Sequence, residues 1–534
     1  MSEGSVFQIC SAGLDTTENL AEIVECIAIR QTEDHDNATQ SLSNGIDTFY
    51  LIFAGALVYF MQTGFAMLCA GSIRAKNVKN VILWNLLDSC GGGLAFWSIG
   101  YALAYGGDDA DSADKTMAGN KGFFLKGDDI RLENWFFQFA FACALSSIVA
   151  GTIAERTQMK AYLLYSTFLV GICYPIVAHA AWSPNGFLSA GSIDPLWGSG
   201  AIDLAGSGPV HMTGGVTALV AALILGPRLG RFYDRDGNPL EEPAEFPPHS
   251  VALQFLGTFC LWFGWYGFNP GSVFYISSTE HGAVAALVAV NTTLSACAGA
   301  VSAMFTSTYL DWWLTGVHTY DLGYTMNGCL TGLVAITAGC ATVETWAAVL
   351  IGVVSGWVYL GLSKLLVRLR IDDAVDAIPV HMGGGMWGVI ATGLFTKGEL
   401  LMAAFGRDDH VGWFYEWKRG SGDFTLLGLQ LILVLFIFGW VFAVMGMYFT
   451  FLNYMGWFRI DPLEEEVGMD ISRHKGAAYV IESPSNDHLK QLSDSRKNVY
   501  EDHSSRRGSK KAGSDQGEKT SSDAADHANV EQEA

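Results

Sequence analysis

The sequence predicts an all-α polytopic membrane protein, and three observations carry that prediction. Half of the 534 residues are hydrophobic and only 16% are charged, where soluble chains run nearer to about a quarter. The charges gather at the ends and in a few loops, leaving apolar stretches of roughly 20 residues, each long enough to cross a bilayer core of about 30 Å. A short pattern also occurs twice, PVHMTGGV at 209–216 and PVHMGGGM at 379–386, which marks an internal repeat.

Residues 1–45 read as an extracellular segment. They hold eight acids against one base, Arg30, and lack the basic start and apolar core of a cleavable signal peptide. Asp15 to Ile29 has the spacing of an amphipathic helix, with Leu20, Ile23, Val24 and Ile27 on one face. Cys10 and Cys26 lie outside the apolar stretches, and the sequence leaves open whether they bond to each other or between subunits. Asn37 begins a glycosylation sequon, Asn37-Ala38-Thr39, which matters only if this end is outside.

Eleven spans follow within residues 46–455, at about 46–70, 80–106, 132–154, 160–181, 204–226, 250–271, 282–309, 322–342, 345–367, 375–396 and 424–455. Lys and Arg in short loops set their direction. Arg74, Lys76 and Lys79 follow the first span; Arg156 and Lys160 the third; Arg228, Arg231 and Arg235 the fifth; Lys364, Arg368 and Arg370 the ninth; Arg459 the last. All follow odd-numbered spans, which puts the N-terminus outside and the C-terminus inside. The loop between Asp311 and Asp321 has no Lys or Arg and is silent on this point. The fifth span then runs inward and the tenth outward, so the two PVHM copies sit on antiparallel helices. That is the pattern of two inverted five-helix repeats with a final helix added. Residues 456–484 read as a cytoplasmic regulatory segment that docks on the inner face. Residues 485–534, rich in Ser, Asp, Lys and Gly, read as a disordered acidic tail.

The repeat carries the chemistry. Each copy puts a histidine, His211 or His381, in an otherwise almost uncharged run, and an acid precedes each, Asp203 by eight positions and Asp376 by five. An ionisable group inside a span is costly and marks a functional pathway. A lone histidine could equally be a satisfied core residue; equivalent placement in two copies argues against that. Two imidazoles in contact share an N–H···N bond and offer a path for a proton. Asp372, Asp373 and Asp376 cluster at the start of the tenth span, where negative charge suits a helix N-terminus.

Several classes are excluded. The formal net charge of -22 and the lack of a basic face argue against nucleic-acid binding. The ten cysteines show no metal-ligand spacing such as CxxC, and no cofactor is implied. No nucleophile–base or metal constellation suggests an enzyme.

Several long stretches, in order, resemble the ammonium transporter family (Amt/Mep/Rh), most like its eukaryotic Amt1-type branch. They are FAMLCAGSIRAKN at 65–77, AGTIAERTQ at 150–158, AIDLAGSGPVHM from Ala201, LWFGWYGFNPGS at 261–272, DDAVDAIPVHMGGGMWG at 372–388 and GMDISRH at 468–474. The resemblance implies a plasma-membrane homotrimer with one pore per subunit that moves ammonium or ammonia through the lipid bilayer. It makes His211 and His381 the twin pore histidines, and Trp182 and Ser272 an outer recruitment site with Asp203 beside it. It makes Phe141 and Phe268 a phenyl gate and Trp265 a pore-lining aromatic. Trp182 read alone is an interfacial anchor, Asp203 a helix N-cap, and the phenylalanines ordinary packing. Rh relatives generally lack the Trp and Ser pair that this chain keeps. In eukaryotic relatives the segment matching GMDISRH docks on a neighbouring subunit and keeps the pores active. Ser472 stands there where plant relatives usually have Thr, and is a candidate for phosphorylation by a kinase; its bland reading is an exposed serine. The implied function is ammonium transport with loss of the proton at the gate and its relay past the histidines. The alternatives are a passive ammonia or carbon dioxide channel of the Rh kind, and an ammonium sensor that signals through its tail.

Overall fold

Every predicted apolar run folds as helix, because a backbone in a water-free bilayer core must satisfy its own N–H and C=O groups. A computed structural model describes residues 10, 19–107, 109, 111–127 and 130–479. The disordered tail expected at 485–534, the end of the 456–484 segment and parts of the 1–45 segment lie outside the described residues. Among the described residues no strand forms, only isolated bridges.

Among the described residues, eight helices are by themselves long and apolar enough to cross a membrane: Leu20–Ser72, Leu132–Thr152, Met159–Trp182, Ser207–Leu225, Val251–Gly271, Thr279–Thr315, Thr345–Arg368 and Thr425–Tyr454. Ile378–Phe395 joins Gly398–Phe405 at a 113° bend and makes nine if that pair is counted. The two other predicted spans are helical in a different way. Val78–Ala95 continues to Tyr105 through a wide π turn at Phe96–Gly100. Leu322–Ile336 has 15 residues, about 22 Å at 1.5 Å per residue, and is short of a bilayer core by itself.

The first helix departs most from expectation. The amphipathic stretch and the first span are one continuous element, the 53-residue helix Leu20–Ser72. No proline falls between residues 20 and 72, and the Gln, Glu and Ala of the polar stretch favour helix, so nothing stops it where the span begins. It is about 80 Å long, well over a bilayer core, and residues 28–42 are all exposed. Of the expected apolar face, Ile23 is buried while Leu20 and Val24 are exposed. Cys10 and Cys26 form a disulfide with each other. Asn37 is exposed on this helix.

One end of the bundle carries the basic loops, locked by buried ions. Arg228 grips Asp372 with two nitrogens, at 2.8 and 2.9 Å, and reaches Glu155 at 2.8 Å. Arg74 also pairs with Glu155, and Arg156 lies 3.8 Å from Asp372. Burial alone would raise both carboxyls. Arg228 and Arg74 overcome it at Glu155, and Arg156 and Arg228 at Asp372, holding each below the usual carboxylate range. A carboxyl lowered by folding stabilises above its ordinary pKa of about 4 and loses that effect only as pH falls through the lowered value. The lock is therefore intact at neutral pH. Asp372→Asn removes the carboxylate shared by the buried Arg228 and Arg156, leaving Arg228 only Glu155, and should cost about 3–5 kcal/mol. In detergent the variant should melt earlier than wild type; equal melting would deny Asp372 this role.

The chain after the last long helix folds back onto this end as Pro462–Val467 and Met469–Arg473. The Asp470 carboxylate accepts the N–H groups of Lys79 and Asn80, each at 3.0 Å, capping Val78–Ala95. Glu465 accepts the Leu229 N–H at 2.7 Å and Arg459 at 2.9 Å. Lys76 donates to the Glu465 and Glu466 carbonyls. These partners lie just after the helices Leu20–Ser72 and Ser207–Leu225 and in the chain just before the docked segment. Ser472 is buried rather than exposed.

Candidate functional site

At the end opposite the basic loops, a cavity of about 590 Å³ opens into the bundle, with Trp182, Ser272, Asp203 and Phe141 in its wall. Trp182 is the last residue of Tyr174–Trp182. Its indole N–H donates to the Asp203 carbonyl at 2.7 Å, which fixes the ring. Ser272 follows the end of Val251–Gly271 and donates its hydroxyl hydrogen to the Phe268 carbonyl at 2.9 Å, leaving its oxygen as an acceptor.

Asp203 is a cap. Its carboxylate accepts the N–H groups of Gly206, Ser207 and Gly208 at 2.7, 3.0 and 2.7 Å, satisfying the start of Ser207–Met212, a wide π turn that carries His211. Gly206 has φ 105°, a left-handed conformation open to glycine, and a side chain there would meet the Trp182 ring.

Below the cavity the phenyl rings of Phe141 and Phe268 stack, with centroids 4.0 Å apart and planes 24° apart. Both are buried. Phe268 lies 5.3 Å from the His211 ring and Trp265 lies 5.1 Å from it. The Trp265 indole donates to Thr337 Oγ1 at 3.1 Å. The two histidines meet: His211 Nδ1 and His381 Nδ1 are 3.2 Å apart, so one ring donates and the other accepts. His211 Nε2 is buried with no hydrogen-bond partner among the described residues. The Phe65 ring lies 6.4 Å from that of His381.

The two copies hold each other reciprocally. Gly215 and Gly385 each stand four residues after their histidine. A Cβ on Gly215 would lie 2.2 Å from the Met382 nitrogen, and one on Gly385 would lie 2.9 Å from the Met212 nitrogen. Only glycine allows this approach, which brings the imidazoles together.

The acid pairing read from sequence needs correction. Asp203 matches Asp373, which also stands eight residues before its histidine. Asp373 accepts the Ile378 N–H at 2.7 Å and the Thr152 hydroxyl at 2.9 Å. Asp376, at φ 58°, instead accepts Tyr359 and Ser363 at 2.8 and 3.0 Å. Keeping the spacing of eight would have found the right partner. Sequence reasoning also passed over Asp88. It is fully buried and accepts the hydroxyls of Ser147 and Tyr162. The cost of charge inside a span, which picked out the histidines, applies to it equally. Asn134 and Gln138, in the cavity wall, were missed as well.

Apolar helices around a cavity, a phenyl pair and two buried histidines define a multi-pass membrane transporter. Comparison with known proteins makes this specific: the chain belongs to the ammonium transporter family, whose model matches residues 48–479. It is 41% identical over 451 residues to ammonium transporter 1 member 3 of Solanum lycopersicum, covering 82% of this chain and 94% of that protein. It is 42% identical over 473 residues to ammonium transporter 1 member 1 of Oryza sativa subsp. japonica, covering 86% and 91%. Among solved structures, one described as a sensor Amt protein superposes with a TM-score of 0.68 at 31% identity, covering 81% of this chain and 99% of that one. The crystal structure of Saccharomyces cerevisiae Mep2 superposes with a TM-score of 0.66 at 25% identity, covering 78% and 87%.

Proposed function

We propose that this chain recruits ammonium in the aromatic cavity, removes its proton at the phenyl gate, and conducts ammonia past the twin histidines while they relay the proton. The observation that carries this reading is the contact between two buried imidazoles, with His211 Nε2 left unpartnered below the stacked phenyls. A bare cation does not enter such a path cheaply, because desolvation costs many kcal/mol. Ammonium divides into ammonia and a proton. A proton taken up at His211 Nε2 releases the Nδ1 proton to His381 Nδ1, and His381 passes on its own from Nε2. Ammonia crosses separately and recombines with the proton on the far side, so each cycle carries one positive charge.

The same reading places eleven spans in two inverted five-helix halves plus a last helix, with the N-terminus outside and the C-terminus inside. The reciprocal Gly215 and Gly385 contacts and the matched Asp203 and Asp373 caps support that symmetry. It also makes the protein a homotrimer of the plasma membrane. Two-electrode recording in oocytes across an ammonium and pH series tests the mechanism. Ammonium should evoke inward current; uptake without current would favour the passive channel, and signalling by a transport-dead variant would favour the sensor.

Trp182→Leu removes a cation–π face worth about 0.5–2 kcal/mol. Half-saturation for ammonium should rise roughly two- to thirtyfold. An unchanged value would leave Trp182 as an interfacial anchor alone.

A further inference from the structure

Ammonium has four N–H donors, and the cavity residues named so far hold few free acceptors. The Trp182 indole nitrogen only donates, and it is committed to the Asp203 carbonyl. The Asp203 carboxylate is taken up by three backbone N–H groups. Ser272 offers one hydroxyl oxygen. An ion that leaves water here with so few partners would keep little of its hydrogen bonding.

Asn134 and Gln138 supply what is missing. Both line the cavity beside Phe141, and the amide oxygen of each is buried with no hydrogen-bond partner among the described residues. Gln138 is only 6% exposed, so its unmet oxygen carries a real cost. The two residues are four apart on Leu132–Thr152. They therefore share a face and stand about 6 Å apart along the axis, close to twice an N–H···O distance of about 2.9 Å. Phe141 comes three residues further on, so the amides lead from the cavity mouth toward the gate. Half a turn about the last side-chain bond exchanges the amide oxygen with the amide nitrogen, so each group can present either one. Arg131, one turn before Asn134, adds positive charge to the wall, but Glu133 pairs with it at 2.8 Å and Tyr275 accepts from it at 3.2 Å.

We propose that the Asn134 and Gln138 amides form a second ammonium subsite in the cavity wall beside the recruitment site and the gate, and that they set selectivity by counting N–H donors. This rests on reading the cavity as a cation entry. Methylammonium has one donor fewer than ammonium and gains less from the pair.

The test measures half-saturation for ammonium and methylammonium in oocytes for wild type, Asn134→Leu, Gln138→Met, the double variant and Trp182→Leu. Each amide lost should raise the ammonium value about two- to tenfold, with a smaller rise for methylammonium. Asn134→Asp and Gln138→Glu keep shape and strengthen the acceptor, so they should lower the ammonium value. If the apolar variants fail to reach the surface, these two decide the matter. Ammonium values within about twofold of wild type in the double variant, or in both carboxylate variants, would overturn the subsite. So would equal rises for both ions. If Trp182→Leu weakens uptake while the amide variants do not, the cation entry stands and only the amide subsite falls. A wild type that moves no ammonium would sink the entry reading itself.

Discussion

Replacing both His211 and His381 with leucine should abolish ammonium current while leaving the protein at the cell surface in near-normal amount. The imidazoles touch at 3.2 Å and are enclosed by Trp265, Phe268 and Phe65. Two leucines fill similar space and remove every group there that can take up and give back a proton. A proton or ammonium ion then faces an apolar passage, with a desolvation cost of several kcal/mol. At 1.36 kcal/mol per tenfold, current should fall by at least about a hundredfold. A single His211→Glu should retain conduction with altered selectivity, because a carboxyl group also exchanges a proton. Normal currents in the double variant, at normal surface abundance, would reject the relay. Electrically silent uptake in that variant would show that the histidines carry the proton but do not gate ammonia.

The repeated PVHM pattern was enough to single out His211 and His381, because two ionisable groups at matching places in apolar runs have no cheap explanation. That they touch was not legible: the contact depends on Gly215 and Gly385 letting backbones meet, and glycines are common throughout the chain. The gate was legible only through family resemblance. With 32 phenylalanines in the chain, nothing local distinguishes Phe141 and Phe268 until their rings lie 4.0 Å apart. The helices were legible because hydrophobic length is a strong signal. The reach of Leu20–Ser72 was not, since charge marks where a bilayer ends but not where a helix does. Asp373 was read as helix-start charge, but its match to Asp203 was lost by pairing the acids on proximity instead of spacing. Asn134 and Gln138 were lost because an amide carries no charge to flag it, and its unmet oxygen shows only in three dimensions.

The remaining large effect is expected at the other end of the molecule. Ser472 is 7% exposed, in the short helix Met469–Arg473. Two residues earlier Asp470 caps Val78–Ala95 through Lys79 and Asn80, and Glu464 pairs with Arg473 at 2.7 Å. We propose that this docked segment keeps the pore active. Phosphorylation of Ser472 would add a charge of about −1.5 to −2 where there is no room for it and where Asp470 and Glu464 already concentrate negative charge. A kinase needs the segment undocked to reach the hydroxyl, and the phosphate would then oppose its return. Ser472→Asp should reproduce that state and lower ammonium uptake severely at normal surface abundance. Ser472→Ala fits the buried space and should transport like wild type, separating charge from loss of the hydroxyl. In a trimer whose tails act across subunits, co-expressed Ser472→Asp should also suppress wild-type current. Wild-type subunits that continue to conduct beside silent ones would keep the switch but reject coupling between subunits. Full activity of Ser472→Asp would remove the switch, and equal loss in Ser472→Ala would assign the effect to packing.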